Sequence, residues 1–184
     1  MQSSGLYIVG ILAAVAVLVF VWYVSVRNRF ERIRVKIAES ESGIDVALTK
    51  RFDTLTKMLD VCKGYAGHEA ELLSNLVKLR SSMSVDEKNE ANRQMDEVAG
   101  RINVMAEAYP ELRSSENFKA LQDSIADVEE HLQAARRIYN MNVSSFNQLL
   151  ASWPAGVVGR SCGHVPGVFF EAEPRKREDV KMEF

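Results

Sequence analysis

From Gly5 to Val26 the chain runs 22 residues without one charged side chain. Coiled as a helix at 1.5 Å per residue, that run is about 33 Å long, the thickness of a hydrocarbon core of roughly 30 Å. Thirteen of its residues are Val, Ile, Leu or Phe, each favouring insertion near the bilayer centre. Trp22 and Tyr23 close the run, where amphipathic rings suit the headgroup layer. A cleaved signal peptide needs a basic leader and a shorter apolar stretch. Met1-Gln2-Ser3-Ser4 carries no charge, and no small-x-small site follows. The expectation is an uncleaved single span.

Arg27, Arg29, Arg32, Arg34 and Lys36 follow at once, opposed only by Glu31, and no Lys or Arg precedes the span. This asymmetry predicts an N-outside, C-inside orientation. The same five cations are the candidate contacts for anionic lipid headgroups, worth about 1 kcal/mol per charge near the surface.

Beyond the collar, proline divides the chain. All four prolines fall after Tyr109, at 110, 154, 166 and 174, and helix interiors tolerate proline poorly. Phe30, Ile33, Ile37, Ile44, Leu48, Phe52, Leu55, Leu59 and Cys62 recur mostly at three- and four-residue steps, which predicts a first soluble helix continuing from the anchor. Gly64 and Gly67 suit its stop. A second helix is expected from about His68, through Leu72, Leu76, Leu79 and Met83, to Tyr109. Ser84-Val85-Asp86-Glu87 reads as a capping box that would kink or restart it. The third stripe runs from Phe118 through Leu121, Ile125, Val128, Leu132, Ala135, Tyr139, Val143 and Phe146 to Leu150, with Ser114 or Ser115 as its cap. Heptad-like spacing over so many turns means coiled-coil packing against another helix.

The fold class is therefore all-α. A single N-terminal transmembrane helix continues into an antiparallel bundle of three long helices, or four if helix two breaks near Ser84, and an irregular C-terminal tail follows. Residues 1–4 form a short leading segment, 5–26 the anchor, 27–152 the bundle and 153–184 a Pro/Gly-rich extended tail. If helix two returns unbroken to the bilayer, helix three runs parallel to helix one. Asn28 then aligns with Ser114, Arg51 with Arg137 and Asp53 with Tyr139. In that register Asp53 is a candidate partner of Arg136 or of the Tyr139 hydroxyl, against Lys57 at i, i+4. Gly64 to Gly67 and Trp153 share the membrane-distal tip, so Tyr65, His68 and Trp153 are the candidate partner surface.

Chemistry is sparse. Charge is nearly balanced, 23 basic against 25 acidic residues, which argues against nucleic acid as a partner. Cys62 and Cys162 make no framework and no C-x-x-C pair. Asp127 and His131 share a helix face, but two ligands do not fix a metal. Cys162-Gly163-His164 puts a thiol near an imidazole on a glycine-rich tail. No phosphate loop, nucleophile elbow or H-E-x-x-H occurs. The reading is non-enzymatic, with no cofactor and no metal.

Several stretches resemble the LemA family. They are Gly43-Ile44-Asp45-Val46-Ala47-Leu48-Thr49-Lys50-Arg51-Phe52-Asp53, then Val61-Cys62-Lys63-Gly64-Tyr65-Ala66-Gly67-His68-Glu69. Tyr109-Pro110-Glu111-Leu112, Asn117-Phe118 with Leu121-Gln122, Ala135-Arg136-Arg137-Ile138-Tyr139-Asn140 and Phe169-Phe170-Glu171-Ala172-Glu173 complete the set. Two departures stand out. The family's tryptophan before Ile-Asp is absent from Glu41-Ser42-Gly43, and a proline and asparagine are replaced by Thr56 and Lys57. The resemblance implies a bacterial membrane protein with an N-terminal span and long antiparallel helices, and one relative acts in magnetosome membranes. It implies no enzymatic activity. The expected function is a membrane-anchored scaffold, in the bacterial inner membrane, presenting a rod-like helical bundle to protein partners or to a second copy. The alternative is a lipid-contacting or membrane-shaping module built on the basic collar.

Overall fold

In the computed structural model residues 2–66 and 83–170 are described. Their elements are helical: α1 Gln2–Ala66, α2 Val85–Ala108, α3 Pro110–Ser114, α4 Glu116–Ala151 and α5 Ala155–Ser161. The expected positions His68, Leu72, Leu76, Leu79, Val180, Met182 and Phe184 lie outside the described residues. So do Gly67 and Glu171 onward.

α1 is one helix from the anchor onward. It passes through Ser40, Glu41 and Gly43, where the apolar stripe skips a step, and through Gly64 to Ala66. Its N-terminal part is long and apolar enough to cross a membrane, with mean hydropathy 2.6 over its most apolar stretch and none of that stretch buried. Ser84 restarts the chain as α2. Its hydroxyl accepts from the Glu87 amide at 3.3 Å and its own amide donates to the Glu87 carboxylate at 2.7 Å, so both arms of the capping box close. Pro110, at the first position of α3, ends α2. Ser115 then caps α4 by accepting from the Phe118 amide at 3.2 Å.

The chain packs as two units, residues 1–39 with 141–167, and residues 40–140 with 168–184. The first holds a small aromatic core. Phe30 is wholly buried with Phe146, Leu149 and Leu150, against Val26, Ile33, Ile37 and Ala155. The Phe30 and Phe146 rings meet edge-on with centroids 5.6 Å apart, and the Asn142 amide donates to the Lys36 carbonyl at 3.1 Å. Contacts thus descend along α4 as they ascend along α1: the helices are antiparallel. α5 folds back on this core through glycine. A Cβ at Gly159 would lie 2.6 Å from the Phe30 ring and 2.8 Å from Leu150. Gly163, at φ +79°, ends α5. Its amide donates to the Arg160 carbonyl and that of His164 to Gly159, the paired bonds of a Schellman stop. The sequence Cys162-Gly163-His164 is therefore an ordered helix end, not a loose tail. Asn147 holds the next segment with two bonds, accepting from the Gly167 amide at 2.8 Å and donating to its carbonyl at 3.0 Å.

In the second unit most of the expected stripe is buried, although Phe52, Leu121 and Ile125 are only half-buried and Arg51 faces inward in place of Phe52. Ile44, Leu48, Leu55, Leu59 and Cys62 are buried with Met95, Val98, Ile102 and Met105 and with Phe118, Val128, Leu132 and Tyr139. Two buried cations show the directions. Lys88 meets Glu41 at 2.8 Å and Asp45 at 2.7 Å. Arg51 donates to the Asn92 side chain at 2.6 Å, pairs with Asp96, and reaches Glu129 at 2.5 Å. α2 therefore runs parallel to α1, and α4 antiparallel to it. This corrects the expected register, in which α4 paralleled α1 and Arg51 stood level with Arg137. α2 runs with α1, so α4, beyond the break at Pro110, is the return. Asp53 is exposed, and the Tyr139 hydroxyl donates instead to the Val168 carbonyl at 3.0 Å. Asn140 brackets Phe170, accepting from its amide at 2.8 Å and donating to its carbonyl at 2.9 Å. Arg136 lies over the Phe170 ring at 4.8 Å. Phe170 is 2% exposed, so residues 168–170, the last described ones, dock on α4 in extended form.

Candidate functional site

The first unit contains an open cleft of about 640 Å³, lined by Tyr23, Arg27, Glu31, Arg34, Phe146 and residues 162–165. α1 supplies four of these at steps of four, four and three, which puts them on one helix face. The collar is thereby sorted. Arg27 and Arg34 line the cleft, while Arg29, Arg32 and Lys36 are exposed elsewhere on the helix. Arg34 lies 3.3 Å from Glu31, one turn away, a pair of exposed groups that contributes little to stability but offsets the carboxylate's charge in the cleft.

The opposite wall comes from the stop of α5. His164 is turned inward so that its ring centroid lies 5.0 Å from that of Phe30 and 5.6 Å from that of Phe146. Its side chain is 9% exposed, with Nε2 buried and 3.9 Å from the Glu31 carboxylate. The exposed Cys162 thiol approaches the Tyr23 hydroxyl at 3.9 Å, a phenol rather than a base. Two guanidiniums, a phenol and an imidazole beside one neutralised carboxylate can hold an anionic group by charge-assisted hydrogen bonds. Sequence reasoning had the arginines but missed Tyr23, Glu31 and His164 as their neighbours. The 23, 27, 31, 34 spacing was a readable signal. The return of residues 162–165 was not.

Other expected sites fare differently. Trp153 stands in the first unit, 86% exposed in the turn between α4 and α5, whereas Tyr65, 43% exposed, belongs to the second. Within the first unit, α4 runs antiparallel to α1 and brings Trp153 toward the anchor end. His68 lies outside the described residues. Asp127 and His131 are exposed, and among the described residues no three His, Cys, Asp or Glu side chains gather as a metal site.

Sequence reasoning also missed the two buried cations. Burial pulls the Lys88 ammonium down, but hydrogen bonds to Asp45 and Glu41 outweigh it and its pKa ends above 10.5. Burial pushes the Cys62 thiol up from 9.0 against a smaller backbone effect, which keeps it protonated and inert at neutral pH.

The LemA family model matches residues 40–184, most of the chain. The chain belongs to the LemA family. It is 31% identical to Protein LemA of Metamycoplasma hominis over 163 residues, covering 86% of this chain and 74% of that one. More distantly, it is 24% identical to Magnetosome protein MamQ of Magnetospirillum gryphiswaldense over 75 residues, 41% of this chain and 28% of the relative. Magnetosome protein MamQ 2 of Paramagnetospirillum magneticum is 25% identical over a stretch of the same length. The LemA match begins at Ser40, so the anchor and the cleft-lining face of α1 precede it.

Proposed function

We propose that this LemA-family chain is a non-enzymatic, single-span protein of the bacterial inner membrane, N-terminus outside, that presents its helical bundle to protein partners or to a second copy. One observation carries the reading. α1 is a single helix whose first part is apolar and unburied, and whose later residues, Ile44 to Cys62, supply the bundle core. An anchor that is also a core helix holds the bundle at the bilayer without an intervening linker. The magnetosome relatives, proteins of a named cellular structure, fit a structural role. The test is a photo-crosslinking amino acid at the exposed Val104 or Ile138, in native membranes. The reading expects discrete protein adducts, of one partner or of the chain with itself, that disappear when the apolar run is deleted. Adducts unchanged by that deletion, or none at either position, would contradict it.

The cleft favours a second reading, a module that contacts anionic lipid. Arg27 and Arg34 beside His164 make a cationic pocket where α1 leaves its apolar run. Full-length protein in phosphatidylglycerol vesicles should protect both arginines from a guanidinium-modifying reagent, and neutral vesicles should not. Equal modification in both would remove this reading.

A further inference from the structure

We infer that the turn from Ser152 to Val158 is a second membrane contact, an uncharged tip that lies in the interfacial layer of the bilayer holding the anchor. The inference rests on the anchored reading above and goes beyond the basic collar. Its first support is position. α4 runs antiparallel to α1 with Phe146 against Phe30. Five more residues, about 7.5 Å of helix, bring Ala151 level with roughly residue 25. On the way back, Cys162 meets Tyr23. Both limbs of the turn therefore reach the last turn of the apolar run. A span of 22 residues, about 33 Å, fills a hydrocarbon core of about 30 Å, which leaves Trp22 and Tyr23 among the headgroups. Trp153 stands in that same layer.

The second support is chemistry. Ala151 to Gly159 is nine residues without a charge. Within it Trp153 is 86% and Val157 53% exposed, large apolar groups left facing outward from a unit that buries Phe30 completely. Tryptophan favours the interface because its ring is apolar while its N–H stays wet. The third support is backbone satisfaction, which decides whether a helix end can leave water cheaply. The Leu150 carbonyl accepts from Arg160 at 3.1 Å, Leu149 from the Ser152 hydroxyl at 2.8 Å, Ser152 from the Gly156 amide at 2.6 Å and Pro154 from Val157 at 3.1 Å. Four carbonyls of the turn that would otherwise demand water are thus already met. Arg160, the first charge after the tip, is exposed but donates back to α4 at the Leu150 carbonyl.

Trp22 and Trp153 are the two tryptophans, so Trp22→Phe leaves Trp153 as the sole indole of the full chain. The experiment reconstitutes that variant into phosphatidylcholine–phosphatidylglycerol vesicles with lipids brominated high on the acyl chain, and checks flotation of the same sample. The result expected is blue-shifted emission, loss of most of it to brominated lipid, and weak quenching by aqueous iodide. Adding Val157→Asp should shift emission to the red and relieve the lipid quenching, with the helical circular dichroism unchanged. Flotation with iodide-accessible, bromine-insensitive Trp153 overturns the inference alone. Protection from iodide without bromine quenching means that protein covers the tip, and also overturns it. Failure to float overturns the anchored reading and this inference together.

Discussion

Arg51 is a guanidinium with 2% exposure, closed on three sides by Asn92, Asp96 and Glu129. A buried charge persists only when its partners replace the lost water. Arg51→Met keeps much of the volume and leaves two part-buried carboxylates facing an apolar stem. It should cost roughly 3 kcal/mol, read as a lower thermal midpoint by circular dichroism; an unchanged midpoint would show the cluster to be dispensable. Lys88 makes a pH-dependent statement. Its folded pKa lies above the ordinary 10.5, so its contribution is complete below 10.5 and fades as pH rises through the folded value. Lys88→Met should therefore lower stability at pH 7 by about 1–2 kcal/mol, allowing for the half-exposed Asp45. The gap from wild type should narrow above pH 10.5. A gap that widened there would reverse the sign. Neither residue was read as structural from sequence, although the clue was present: Arg51 occupies the apolar stripe between Leu48 and Leu55, and Lys88 sits seven residues before Met95. Side-chain spacing says that such a position faces inward, not which carboxylates await it.

At the scale of elements, the helices were legible because their stripes, caps and prolines act locally. Ser84 with Glu87, Ser115 with Phe118 and Pro110 after α2 each do what short-range chemistry dictates. Direction was not legible, because it is set by tertiary contacts such as Arg51 with Glu129 and Asn142 with Lys36, which spacing along one helix does not carry. Taking His68 to Ala108 as one return helix sets α4 parallel to α1, the reverse of what its contacts show. The tail's prolines and glycines predict an irregular segment, yet two of those glycines, Gly156 and Gly159, are packing positions. Gly156 lies against the Leu150 carbonyl and Gly159 against the edge of the Phe30 ring, and Gly159→Ala would force a Cβ into that ring and Leu150. Overpacking of this kind costs about 1–3 kcal/mol. The variant should melt earlier by circular dichroism, while Gly100→Ala, on an open helix surface, should be neutral or slightly stabilising.

For the whole molecule, the asymmetry of charge about the apolar run argues for an N-outside, C-inside orientation. The two cysteines report on it without engineering, because Cys62 is buried and Cys162 exposed. A membrane-impermeant maleimide should leave Cys162 unlabelled in intact cells and label it after permeabilisation; labelling of intact cells would invert the topology. The cleft and the membrane contact inferred for the 152–158 turn both require that α4 bring the chain back to the anchor. Spin labels at Arg29 and Gln148, both exposed in the first unit, in a background with Cys62→Ala and Cys162→Ser, measure it by pulsed dipolar spectroscopy in vesicles. Antiparallel packing places the labels at one level, within about 25 Å for helix axes about 10 Å apart. A parallel α4 would set Gln148 level with Cys62, 33 residues along α1 from Arg29, and give about 50 Å; that longer distance would contradict the account.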